Sequence, residues 1–288
     1  MRGWLVVNSF LDTKKFSELY GFLSRAASDH QVELEIKATD ELTDELGADF
    51  TAFDLPDFVL FWDKDVYLAR RLEQSGLRLF NSADAVRICD NKILTGMALN
   101  HRLPMPKTVI APKTFEHVNY CRKDFLTRAE AILGYPMIIK EACGSFGQQV
   151  YLAGSRREAE EIIDRLGWKE FLMQEFIAGS AGRDIRVNVV GGRAVSAMLR
   201  HNDRDFRSNI SNGGSAEAYR LSDLQAQTAV EACKLVGADF AGVDLLFGPD
   251  GGPLVCEVNS NPHFKSSLDC TGIDVSQLIL GEIVRCLR

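Results

Sequence analysis

No stretch of about 20 apolar residues occurs in this chain of 288 residues, which excludes a membrane-spanning helix. No run of Lys or Arg occurs either, and a net charge of −7 argues against a nucleic-acid surface. The seven cysteines are odd in number and none forms a CxxC pair, so neither a disulfide framework nor a zinc site is indicated and a reducing, cytoplasmic setting is expected. The opening MRGWLVVNSF is too short an apolar run for a signal peptide and meets a charge at Asp12. A dinucleotide site has no local support without a GxGxxG, and no Ser-His or Cys-His arrangement offers a nucleophile. There is no internal repeat and no low-complexity linker, so the domains are expected to pack tightly.

What remains is ordinary material for a globular protein, 46% hydrophobic and 25% charged, with a length that suggests about two domains. LVVNSF, VELEIKA, DFVLFWD and LRLFN read as strands, alternating with helical stretches over Lys14–Ala27 and Tyr67–Ser75. That alternation predicts a parallel sheet in a small α/β unit ending near Asp84. One helix is expected from Ser82 to Asn100, ended by the prolines of LPMPKT. Strands follow at LGYPMIIK, after the Gly-rich turn of GSFGQQVYLA, and at FLMQEFI, with a helix from Ser155 to Gly167. RDIRVNVV and RAVSAMLR form a hairpin about Gly191-Gly192, and helices close the pattern over Ser222–Val236 and Val275–Leu287.

The segment AGVDLLFGPDGGPLVCEVNSN carries the sharpest chemical signal. Its two apolar runs flank a Gly/Pro/Asp turn, and folding about the middle of GPDGGP sets Asp244 opposite Glu257, with Asn259 on the same face. Like charges opposed across a sheet are destabilising, so oxygen-bearing side chains converging among Val, Leu and Phe call for a cation. Hard oxygen ligands of this number suit Mg²⁺, which takes a few carboxylates plus substrate phosphates. An exposed face bearing unrelated acids is the plain alternative.

Other signals are weaker one by one. Lys140 ends the strand IIK just before GSFG, where a point charge and close-approaching backbone N–H groups would suit phosphate. Lys92 lies in the helical stretch after Asp90, and is equally readable as a solvated helix lysine. Gln174 to Ile177 (QEFI) is either an ordinary edge strand or a segment that reads adenine through its backbone beside Phe176 and Ile177. Asp184, Arg186 and Asn188 share a strand face. With Arg200 and the Arg207-Ser208-Asn209 loop they form either an oxyanion grip or a solvated basic face. The DKD of Asp63, Lys64 and Asp65, at a strand end, suggests part of a substrate wall or a turn.

In their order, Lys92, Lys140 with GSFG, QEFI, RDIRVNVVGG, RHNDRDFRSN, GVDLL and CEVNSNP together resemble the ATP-grasp ligases. The resemblance is to the branch of the ribosomal protein S6 glutamate ligase and LysW-type amino-acid ligases, from about Asn81 onwards. It implies an α/β ATP-grasp fold in three parts: an N-terminal α/β domain (1–84), a central subdomain (85–173) and a C-terminal subdomain with the metal site (174–288). It also implies that Lys92, Lys140 and the loop of Gly144, Ser145 and Gly147 hold the phosphates of ATP, and that Gln174, Glu175, Phe176 and Ile177 form the adenine hinge. Asp184 would meet the ribose. Arg186, Arg200, Arg207 and Asn209 would surround the γ-phosphate and acyl intermediate. Asp244, Glu257 and Asn259 would hold two Mg²⁺ ions, with Mn²⁺ as a substitute. The implied reaction is ATP-dependent joining of a carboxylate to an amine, one of them a glutamate-like amino acid, through an acylphosphate. The implied partners are small molecules or a peptide or protein tail, with no nucleic acid or membrane, in a homo-oligomer. A nucleotide-binding regulator without turnover and a phosphotransferase stand as alternatives. The chain departs from the family pattern at Gln149, where the loop often has Gly, and at NPHFKSS, which would set His263, Phe264 and Lys265 around the acceptor pocket.

Overall fold

Short apolar runs alternating with amphipathic stretches build the first layer. The computed structural model describes residues 1–288 apart from 12, 48–49, 51–52, 146 and 211–212, so Asp12 and the Phe146 of GSFG lie outside the described residues. β1 (Arg2–Val7), α1 (Lys14–Asp29), β2 (Glu33–Ala38), β3 (Phe58–Trp62), α2 (Val66–Gln74) and β4 (Leu79–Phe80) follow the expected alternation. The strands form a four-stranded sheet in the order β2-β1-β3-β4, and every pairing in it is parallel. β1 and β3 are buried along nearly their whole length, as strands covered on both faces must be.

The helix expected over Ser82–Asn100 is two helices, α3 (Ala83–Asp90) and α4 (Lys92–Leu99). The break is at Asn91, whose backbone is extended (φ −112°, ψ 110°). Two interactions hold it there. Its side chain accepts hydrogen bonds from Ile93 and Leu94 N–H, capping α4, and its backbone bridges Cys143 while Lys92 N–H donates to Ala142 O at 2.8 Å. Tertiary pairing with the loop before the Gly-rich turn thus overrides helical propensity.

The middle sheet comprises β5 (Thr108–Ile110), β6 (Met137–Glu141), β7 (Val150–Ala153) and β8 (Phe171–Glu175), in the order β5-β8-β6-β7. α5 (Phe125–Leu133) and α6 (Arg156–Leu166) pack on it. The third sheet is five-stranded, β11-β10-β9-β12-β13, from β9 (Arg183–Val190), β10 (Arg193–His201), β11 (Ser215–Ala218), β12 (Phe240–Phe247) and β13 (Pro253–Asn259). α7 (Asp223–Leu235), between β11 and β12, covers it. α8 (Lys265–Thr271) and α9 (Val275–Leu287) follow β13. β5, α5, β11 and α8 are additions to the elements expected from the sequence.

One apolar cluster ties the first sheet to the last. Leu5, Leu19 and Leu23 pack with Phe240, Phe264, Ile279 and Ile283, and the Trp62 ring stacks on Phe240 with centroids 5.4 Å apart. Asn81 adds polar links, donating to Phe240 O and Ser260 O at 2.9 Å each. Among the described residues no helix is long and apolar enough to cross a membrane.

Candidate active site

The β12–β13 hairpin closes one step out of the expected register. Phe247 pairs with Pro253, which continued regularly would set Asp244 opposite Cys256. An irregularity between Asp244 and Leu245 adds one residue to β13 and restores the Asp244–Glu257 pair, with Asn259 opposite Gly242. The bulge also turns Cys256 toward the same side, where its Sγ lies 3.4 Å from Lys140 Nζ.

Asp244 is buried, and its carboxylate is gripped by two guanidiniums. Arg186 pairs with both oxygens, through Nε and, at 2.9 Å, through Nη2, and Arg200 Nη2 reaches Oδ2 at 2.9 Å. Burial alone would raise the Asp244 carboxyl, but the two arginines outweigh it and hold it below the ordinary range. Arg200 also donates to Asp184 through Nε, at 2.7 Å, and Nη2, so both Asp184 oxygens are engaged. Burial works against the Arg200 charge, yet the two carboxylates raise its pKa further above the usual value. The result is a buried alternation, Asp184–Arg200–Asp244–Arg186.

A second set of cations converges on the Gly-rich turn. Lys92, brought inward by the break at Asn91, donates to Gly144 O at 3.1 Å and stands 3.7 Å from Glu257. Lys64 pairs with Asp90 and donates to Ser145 Oγ at 3.1 Å, and Arg207 donates to Gly147 O at 2.8 Å. Gly147 has φ +71°, and a Cβ there would fall 2.6 Å from Asn209 Oδ1. The departure at Gln149 is absorbed locally: its side chain folds against Gly144 and accepts from Ser145 N–H at 3.1 Å. Lys140 is buried, with Nζ donating to Gln174 Oε1 at 2.7 Å, and the Glu175 carboxylate accepts from Lys107 N–H at 2.7 Å, fastening the hinge segment to the start of β5.

These residues surround a cavity of about 480 Å³, a size that takes a small-molecule ligand. Every residue named above as a candidate for ATP, acyl or metal binding lines it, from Lys92 through Asn259. Asn188 does not: it is buried, donating at 3.0 Å to Ser196 Oγ and to Ser267 Oγ. Asp63 and Lys64 of the DKD turn reach the cavity, whereas Asp65 caps α2 by accepting from Leu68 N–H at 3.0 Å. Of NPHFKSS, His263 lines the cavity, but Phe264 is wholly buried in the apolar cluster and Lys265 pairs with Asp269 along α8. The expectation that all three crowd the pocket is corrected, because Phe264 meets Trp62 and Phe22 edge-on instead. Sequence patterns missed Asn8 and Lys15, which reach the cavity from the first layer, and Asn261 after β13. Asn8 and Lys15 belong to no local motif, whereas Asn261 stands within CEVNSNP, where the pattern gives roles to Glu257 and Asn259 alone.

Among the described residues, no cluster of three or more His, Cys, Asp or Glu side chains is arranged to hold a metal. The oxygen set here is two carboxylates and one amide. The Asn259 amide donates through Nδ2 to Gly242 O at 3.4 Å, which leaves Oδ1 as its ligand atom.

Residues 90–283, the stretch that carries both the Gly-rich turn and the β12–β13 hairpin, match the RimK-like ATP-grasp domain. The chain belongs to this family. It is 35% identical over 228 residues to beta-citrylglutamate synthase B of Danio rerio, an overlap of 78% of this chain and 55% of that protein. This RimK-like chain thus spans about half the length of that relative. It is 31% identical over 272 residues to the uncharacterized protein MG012 homolog of Mycoplasma pneumoniae, covering 88% of this chain and 94% of that one. The D-alanine–D-alanine ligase of Bacillus anthracis, solved in complex with ATP, superposes with a TM-score of 0.75 at 19% identity, over 100% of this chain and 98% of that one. The fold is therefore ATP-grasp, α/β in class, and the cavity is lined from all three layers.

Proposed function

We propose that this chain is an ATP-dependent carboxylate–amine ligase with a glutamate-like amino acid as one substrate. The observation that supports this most is the convergence, on one cavity, of three cations at a Gly-rich turn with the Asp244–Glu257 pair. In this reading the domains run 1–84, 85–173 and 174–288, with β8 carrying the chain across the second boundary. Lys92, Lys140 and the backbone of Gly144, Ser145 and Gly147 hold the ATP phosphates. Gln174 to Ile177 flank the adenine and Asp184 lies toward the ribose. Arg186, Arg200, Arg207 and Asn209 surround the transferred phosphoryl group.

The reaction proceeds in two displacements. A substrate carboxylate oxygen bonds to the γ-phosphorus as the bond to the β-phosphate oxygen breaks, giving ADP and an acylphosphate. An amine nitrogen then bonds to the acyl carbon as inorganic phosphate leaves, and one amine proton goes with it. No protein nucleophile is required, and the residues act by positioning and charge. Glu257 and Asn259 fit a hard divalent cation. Asp244 would join them once Arg186 and Arg200 engaged a phosphate, which offers guanidinium the same paired oxygens as a carboxylate. Two Mg²⁺ ions, or Mn²⁺ in their place, would neutralise charge on the phosphates there. The acceptor is a metabolite or a peptide tail, the setting is cytoplasmic, and a homo-oligomer is expected.

The test is release of ADP and phosphate from Mg²⁺-ATP, with each amino acid paired with small carboxylates, L-glutamate with citrate first. Release requiring both partners, and falling by a factor of 100 or more in Glu257→Gln, supports the ligase. ATP turnover that ignores the amine refutes it and points to phosphotransfer.

A further inference from the structure

One nearly buried carboxylate in the cavity wall is answered by no cation. Asp63 is 5% exposed and lines the cavity at the carboxyl end of β3. Its Oδ1 accepts from Asp65 N–H at 2.7 Å, within its own turn, while Oδ2 makes no hydrogen bond and keeps contact with solvent. The adjacent Lys64 turns away to Asp90 and Ser145, and among the described residues no Lys, Arg or His pairs with Asp63. Four other acids on that wall, Asp90, Asp184, Asp244 and Glu257, are each paired with Lys or Arg. Acidic side chains are rarely this buried without such a partner, because a carboxylate withdrawn from water is costly. The strand end itself is fixed, since Asn261 Nδ2 donates to Asp63 O at 2.9 Å.

Topology puts Asp63 where a ligand belongs. In the first sheet β2 lies on one side of β1 and β3 with β4 on the other, so the winding reverses between β1 and β3. Open α/β sheets take ligands outside the carboxyl ends of their strands at such a point. Val7 pairs with Trp62 there, so Asn8 and Asp63 leave adjoining strand ends, and both line the cavity. Leu11, Phe16 and Leu19 of the same layer line it too, and an apolar surround strengthens the pull of Asp63 on a cation. Among the described residues Asp63 belongs to no cluster of three or more His, Cys, Asp or Glu that would hold a metal, so the cation is organic. A negative neighbour favours the charged form of an amine, whereas an attacking amine must shed its charge. An ammonium at Asp63 is therefore one that takes no part in the reaction.

We propose that Asp63 Oδ2 anchors the ammonium of the carboxyl-donating substrate, which makes the donor an amino acid and not a simple carboxylic acid. The donor's ammonium bonds to Oδ2 while its carboxylate oxygen bonds to the γ-phosphorus, and the ammonium neither gains nor loses a proton. Asp63 decides which donor is accepted and takes no part in the bond changes. This inference rests on the ligase reading.

Its test uses the full chain with Mg²⁺-ATP and hydroxylamine as the common nucleophile. Each activated donor is then read as its hydroxamate, the acyl carbon bonding to the hydroxylamine nitrogen as phosphate leaves. Every amino acid is compared with its deamino counterpart, L-glutamate against glutarate first. The wild type should prefer the donor with the ammonium by about tenfold or more in kcat/KM, the worth of one hydrogen bond to a charged group. In Asp63→Asn the KM for that donor should rise about tenfold and the preference should vanish, while the KM for ATP stays within about twofold. Asp63→Glu, which keeps the charge, should recover part of the preference. Melting curves with and without Mg²⁺-ADP show whether each variant folds and binds nucleotide. A folded Asp63→Asn that keeps the wild-type preference, or a wild type that activates the deamino acids equally well, overturns the inference and leaves the ligase standing. Wild-type protein that activates neither class of donor overturns the ligase reading, and the inference with it.

Discussion

Replacing Arg200 by Met should strand a buried charge, and the cost follows from the bonding around it. Arg200 is 6% exposed and supplies both hydrogen bonds to the Asp184 carboxylate plus one of the contacts to Asp244. Met keeps the length and the apolar stem but none of the donors. Asp244 retains Arg186, whereas Asp184 loses the guanidinium that holds both its oxygens. Removing one partner of a buried ion pair costs about 3–5 kcal/mol. At an unfolding entropy of about 2.1 cal/mol/K per residue, a chain of 288 residues loses about 5–8 °C of melting temperature. Adding Asp184→Leu removes the stranded carboxylate, so the double variant should be more stable than Arg200→Met by about 2 kcal/mol, since apolar replacement of a whole buried pair is often neutral. Calorimetry at pH 7 on the wild type, both single variants and the double variant closes the cycle. Arg200→Met melting within 2 °C of wild type, or a double variant whose losses simply add, would falsify the coupling drawn here between Asp184 and Arg200.

Asn91→Ala removes the side-chain oxygen that caps α4 and should cost about 1 kcal/mol in denaturant unfolding. Because that cap sets the direction of Lys92, the KM for ATP should rise several-fold as well; an unchanged KM would separate the helix break from phosphate binding. Stability should also depend on pH through His263. His263 holds a pKa near 4 against an ordinary 6.5, so between those values the unfolded chain takes up a proton that the folded chain refuses. Stability is therefore full above about 6.5 and is lost as pH falls toward 4, by about 2–3 kcal/mol from this residue. His263→Gln should flatten that part of a stability–pH curve measured by urea unfolding, and an unaltered slope would assign it to other groups.

The larger elements were legible because their periodicity is strong and their ends are marked, as at Ser155 and Ser222, which cap α6 and α7. The missed pieces gave weaker signals. β5 is three residues long and half exposed, β11 reads SAEA without a branched or aromatic residue, and α8 buries only Ser267. α5 does carry Leu126, Ala129 and Leu133 on one stripe, so its pattern was available. The break at Asn91 was not, because its cause lies 52 residues away at Cys143. In the site, opposition of Asp244 and Glu257 could be read from the hairpin, although a bulge at Cys256 is what delivers it. The Asp184–Arg200 pair was hidden for the same kind of reason. A regular hairpin about Gly191-Gly192 would oppose Asp184 to Leu199, and an irregularity between Ala194 and Ser196 slips the register by one to bring in Arg200.

The docking of α9 against α1 carries a consequence for how the molecule comes to be made. Ile279, Leu280 and Ile283 complete an apolar cluster begun by Leu5, Leu19 and Leu23, some 260 positions earlier along the chain. On the ribosome, β1 and α1 emerge long before the helix that covers them, and their apolar faces stay open through the synthesis of everything between. A layer made well before α9 is thus sealed only when α9 arrives, a long-range closure of the kind that slows folding.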